Sequence, residues 1–187
     1  MRLRVTRIAM LAGLWGLSAV TGNAQVMPGM RAPTDLVDGS VMAVTSGCWL
    51  ASARRPVAGI NRPANGNEGE GIAEHVWAPE WVQAASAAEG RSRFATLTTP
   101  EGKIWIRFDE ATARCSVIVR PPDVAKFRAA FGESLANGGT TVFKRESAAD
   151  GSESFVNAAP TFAWTSRVSV PEKSPDVVLI ETSFQEK

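Results

Sequence analysis

From about residue 93 the chain alternates between apolar and polar positions. Ile104, Ile106 and Phe108 are separated by Trp105 and Arg107. Cys115, Val117 and Val119 alternate with Arg114, Ser116 and Ile118. A period of two marks strands with one buried face. Pro100-Glu101-Gly102 is a hairpin signal, because Pro presets φ and Gly accepts the left-handed position. Asp109 to Thr112 reads as a second connection. Pro121-Pro122-Asp123 stops the strand and opens a helix that places Val124, Phe127, Phe131 and Leu135 on one side. Asn137-Gly138-Gly139 ends it. Val142–Glu146 and Phe155–Asn157 flank a turn at Asp150-Gly151. Phe162, Trp164, Val168 and Val170 then share a strand face opposite Thr161, Thr165, Arg167 and Ser169, and a last strand runs over Val177–Phe184.

The pattern before residue 93 is helical or irregular. Thr34 is placed to cap a helix, with Asp35 and Asp38 in a first turn where negative charge suits the helix dipole. Val37, Val41, Val44 and Cys48 recur at helical spacing, although Gly39, Gly47 and the β-branched run leave a strand open. Ala51–Gly71 is rich in Gly, Pro, Asn and Arg and reads as a long surface loop. Within Glu74–Ala88 a short helix is expected, with Pro79 in its first turn and Trp77 and Trp81 one turn apart. The order is helix, loop, short helix, three strands, helix, about four strands. It predicts an α+β domain over 34–187: an antiparallel sheet with helices packed on one face. No internal repeat is visible.

Residues 1–24 are set apart from this domain. Arg2, Arg4 and Arg7 precede an uncharged, mostly apolar run from Ile8 to Val20, and Gly22-Asn23-Ala24 offers small residues for a cut. That order is a secretory signal peptide of bacterial type. The run is short of the ~20 residues of a membrane span. Residues 25–33 follow as a linker. Export would place the chain in the periplasm or the medium, with no stable membrane span after removal of the signal. The whole chain has 20 basic and 19 acidic side chains. Losing three arginines from the signal turns the formal +1 into −2, which argues against nucleic acid as a partner. At 44% hydrophobic residues the chain can bury a core.

Cys48 and Cys115 are the only cysteines. In an oxidising compartment they are expected to form a disulfide. A tight Asp109–Thr112 hairpin would set Phe108 opposite Ala113, Ile106 opposite Cys115 and Ile104 opposite Val117, all on one face. Cys115 would then meet Cys48 on the packed helix. The same register sets Arg107 opposite Arg114 on the other face. With Trp105 and Arg120 alongside, this suggests either a basic, aromatic binding patch or a solvated face of ordinary ion pairs.

Gly102-Lys-Ile-Trp-Ile-Arg-Phe, Cys115-Ser-Val-Ile-Val and the Val124–Leu135 helix together resemble a segment of small exported bacterial proteins of unassigned function. The resemblance spans about a fifth of the chain. It implies a profilin-like or PAS-like shape and no particular activity.

Chemical motifs are sparse. The single histidine, His75, with Glu74 or Glu80 would be the acid–base pair of a small hydrolase; otherwise it is a surface histidine. No metal site and no cofactor are expected: there are too few ligands for zinc, and no phosphate-binding or calcium-loop spacing occurs. Trp49, Trp77 and Trp81 would either bind a sugar or partner surface, or cap the core. The leading expectation is an exported, non-catalytic binding module whose partner is a protein or envelope component. The alternatives are the His75 hydrolase and an inhibitor of an envelope hydrolase that presents the Ala51–Gly71 loop.

Overall fold

The computed structural model describes residues 32–48, 72–75, 77–85, 92–109, 112, 114–137, 143–147, 152–158 and 162–186. The expected signal segment at 1–24, the expected loop over 51–71 and Trp49 lie outside the described residues. Helix α1 (Leu36–Met42) continues into a π-helical turn (Ala43–Cys48). Strand β1 (Ile72–His75) and helix α2 (Glu80–Ala85) follow. Next come β2 (Ser92–Thr99), β3 (Gly102–Asp109), β4 (Arg114–Val119) and α3 (Val124–Asn137). The chain closes with β5 (Lys144–Ser147), β6 (Glu153–Ala158), β7 (Phe162–Ser169) and β8 (Val178–Glu186). All eight strands form one sheet in the order β1-β2-β3-β4-β8-β7-β6-β5, every pair antiparallel. The α+β class and the antiparallel sheet follow the sequence pattern.

On the inner face α1, the π-helical turn and α3 bury Leu36, Ala43, Val44, Cys48, Phe127, Phe131 and Leu135 against Leu97, Ile104, Ile106, Val117 and Ile180. A fully buried aliphatic or Phe side chain contributes about 1.5–3 kcal/mol of transfer free energy. The buried side of α1 is rotated from the predicted one. Gly39, Ser40 and Ala43 are buried, while Val37 and Val41 are only partly so. The reason is a close approach: a Cβ on Gly39 would stand 2.6 Å from Ile104 Cδ1. The helix cap is Asp35, one residue after the predicted Thr34, and Asp35 Oδ1 accepts the Asp38 amide at 2.8 Å. Asp38 Oδ2 in turn accepts the Thr34 amide, just before the cap, at 3.0 Å.

The disulfide is present. Cys48, at the end of the π-helical turn, is bonded to Cys115 on β4, with the Cα atoms 5.4 Å apart. The register that leads to Cys115 needs correcting. Phe108 pairs with Cys115, Ile106 with Val117 and Asp109 with Arg114, because the connection occupies 110–113 rather than 109–112. The slip is two residues on the pairing. A two-residue slip keeps every side chain on its face, so Cys115 still points inward. The β2–β3 turn is as predicted: Thr99 pairs with Gly102, whose φ of 152° suits glycine.

The short helix expected within Glu74–Ala88 is present at Glu80–Ala85, directly after Pro79. The sequence pattern did not announce β1: Glu74 and His75 lie in an edge strand, with His75 opposite Phe94. Helix α2 lies on the outer face of the sheet, where Ala78, Val82 and Ala85 pack on Trp105, Ile118, Val177 and Leu179.

The strand order contains a repeat that the sequence hides. Each half is a helix followed by a four-stranded meander, and the halves meet at β4 and β8. The β2–β3 and β6–β7 hairpins share one register: adding 60 to both members carries Phe94↔Arg107 onto Ser154↔Arg167, and Thr96↔Trp105 onto Val156↔Thr165. Arg107 Nε donates to Ser92 Oγ at 3.0 Å, and Arg167 Nε donates to Ser152 Oγ at 3.1 Å. The same side-chain bond therefore recurs at the same offset. A pseudo-two-fold axis relates the halves, passing near the central pair Ser116↔Glu181.

Candidate functional site

The outer face of the first half brings together most of the residues the sequence singled out. Helix α2 is too short to be stable alone, and its start is fixed locally. The Val82 and Gln83 amides both donate to the Pro79 carbonyl, and Gln83 Nε2 donates to the Ala78 carbonyl at 2.6 Å. Ala78 is anchored in the outer cluster, and Trp77 projects beside it, 70% exposed. It is the one large hydrophobic side chain exposed among the described residues.

Trp81, one turn on, is half-buried and packs on the same cluster. The Arg120 guanidinium lies 4.4 Å from its ring centroid. Arg120 leaves the end of β4, and its Nε meets Asp176 Oδ2 at 2.8 Å. Desolvation is slight at this exposed pair, so the stacking contributes about 0.5–1 kcal/mol. Asp176 sits in the connection 170–177 between β7 and β8, which is longer than its counterpart 110–113. Turns closed by Ser174 N to Pro171 O and Val177 N to Ser174 O shape this connection. The added length carries Asp176 to Arg120 and Val177 into the α2 cluster. Asp176 was missed in sequence, since nothing local distinguishes it from any acid in a Pro-rich turn.

His75 lies on the same outer face. Its Nε2 is 2.7 Å from Thr96 Oγ1, and its ring centroid is 5.3 Å from that of Trp105. Its described partners are thus a hydroxyl and an indole, not a carboxylate. Glu80 is exposed on the first turn of α2. The side chain of Glu74 lies outside the described residues. Among the described residues no group of three or more His, Cys, Asp or Glu side chains could hold a metal ion.

The proposed arginine patch does not form as expected. Arg107 is opposite Ser116, and Arg114 is opposite Asp109, so the two arginines are not a like-charge pair. Trp105 pairs with Ile118 and is buried. Arg107 is only 3% exposed. Burial pushes its guanidinium below the ordinary arginine range, and the Asp109 carboxylate raises it again. Asp109, itself buried, is thus a charge partner for Arg107. Arg114 is exposed, and Arg120 belongs to the Trp81 group instead.

A pocket of about 250 Å³ opens on the opposite side, where α1 and α3 begin. Leu36 and Phe127 form its apolar part, and Asp35, Glu101 and Asp123 contribute carboxylates. These acids already accept helix amides: Glu101 from Leu36 at 3.0 Å and Asp123 from Lys126 at 2.9 Å. They serve as caps. No helix among the described residues is long and apolar enough to cross a membrane. No protein-family model, curated protein or solved structure matches the chain.

Proposed function

We propose that this chain is an exported, non-catalytic binding module of the bacterial envelope, and that it engages its partner through the outer face around Trp77. One observation carries the reading. An indole is held 70% exposed on a shelf fixed by Pro79, Gln83 and the packed Ala78. Exposed tryptophan has little structural use, and it dominates binding energy where it meets a partner. The hydroxyl and indole partners of His75 favour this reading over the His75 hydrolase. The disulfide and the signal-like start support export. The test is retention of the mature chain on washed envelope fractions. Wild type should be retained and Trp77→Ala released, with unchanged thermal midpoints. Equal retention of the two proteins would refute the assignment.

A further inference from the structure

Resting on that reading, we infer that the Trp77 face takes a neutral saccharide. The buried residues Ala78 and Val177 belong to one cluster. Trp81, four residues after Trp77, stacks with Arg120, and Arg120 is paired with Asp176, so Trp77 and the ion pair belong to one stretch of the outer face.

This combination suits the chemistry of a pyranose. A sugar ring presents a C–H face that packs on an indole, and a rim of hydroxyls that each donate and accept. Arg120 and Asp176 are planar polar groups already locked to one another through Nε and Oδ2, with side chains 46% and 57% exposed. The pair leaves the terminal guanidinium nitrogens to donate and Oδ1 to accept, which matches two neighbouring hydroxyls. The two charges cancel, so neither an anionic nor a cationic ligand is selected.

Size and composition favour a sugar over a protein. A stable protein interface buries about 800 Å² per partner around an apolar core. Among the described residues the exposed apolar anchor is one indole. Glu80 and Gln83 on α2, and Glu172, Lys173 and Asp176 in the 170–177 connection, are exposed and polar.

The experiment is a tryptophan-fluorescence titration of the mature chain with cellotetraose, chitotetraose and maltotetraose. At least one should give saturable binding. Trp77→Ala should weaken it at least about tenfold, the scale of a lost binding hot spot. Asp176→Asn should weaken it with the thermal midpoint unchanged, and Trp77→Phe should retain most of it. No saturable binding by wild type, or equal binding by Trp77→Ala, overturns the inference. Trp77-dependent envelope retention without oligosaccharide binding would overturn the saccharide and leave the binding module standing. Retention that ignores Trp77 would remove the module reading itself.

Discussion

Arg107 and Arg167 occupy equivalent positions in the two halves, each bonded through Nε to an equivalent serine, yet Arg107 is buried and Arg167 is exposed. The residues around them account for the difference. The first half surrounds its arginine with Phe94, Trp105 and Ile118, and lays α2 over that apolar ground. At the matching positions of the hairpin the second half has Ser154 and Thr165. Asp109, which offsets the charge of Arg107, is replaced by Ser169, because an exposed guanidinium needs no buried counter-charge. One topology thus carries an aromatic outer face covered by α2 on one side and a hydroxyl-rich one on the other.

The inner faces differ as well. Helix α1 presents small residues, sits close to aliphatic strands and is tied by Cys48–Cys115. Helix α3 relies on aromatic contacts: Phe131 meets Phe155 edge-on at 6.3 Å, and the neighbouring Trp164 meets Phe143 at 5.2 Å. A glycine-faced helix has little side-chain surface to bury, and the disulfide makes up part of the deficit.

The largest expected effect separates the two arginines. Arg107→Ala removes a buried guanidinium and the charge beside the buried Asp109, and should cost about 3–5 kcal/mol in urea unfolding. Arg167→Ala should stay within about 0.5 kcal/mol, as exposed substitutions do. Equal losses would mean that the halves are energetically alike. Next, replacing Cys48 and Cys115 together by alanine should cost about 2–4 kcal/mol. Hydrogen exchange should then show β2 and β3 losing protection before β6 and β7. Simultaneous loss would reveal a single cooperative unit. Gly39→Val, aimed at the close approach to Ile104, should cost about 1–3 kcal/mol by overpacking; no change in midpoint would show that α1 can lift away freely. Trp77→Ala should be the smallest, within about 0.5 kcal/mol, since its indole supports little of the fold.

Much of the fold was legible because alternation and helical spacing act locally. β3, β4, α3 and the inward Cys115 follow from side-chain period alone. What escaped depends on pairing at a distance. Four residues at Ile72–His75 carry too short a period to reveal β1, which exists through its bonds to β2. The β3–β4 register turned on one turn residue: Asp109 extends the strand instead of opening the turn, so Arg114 faces Asp109 rather than Arg107. The repeat left three identities along one hairpin, Ser92/Ser152, Pro100/Pro160 and Arg107/Arg167, too few to stand out. Trp77, Trp81 and Arg120 were legible as candidates, but their convergence with Asp176 needed the 170–177 connection placed in space.

The contrast between the aromatic and hydroxyl-rich outer faces is tested most directly by a hydrogen-exchange footprint of residues 25–187 bound to envelope material. Protection is expected at 77–83, around Arg120 and over 174–177, with the outer face carrying Ser154, Thr165 and Ser183 unchanged. Protection confined to that second-half face, with Trp77 and its neighbours exchanging as in the free protein, would contradict it.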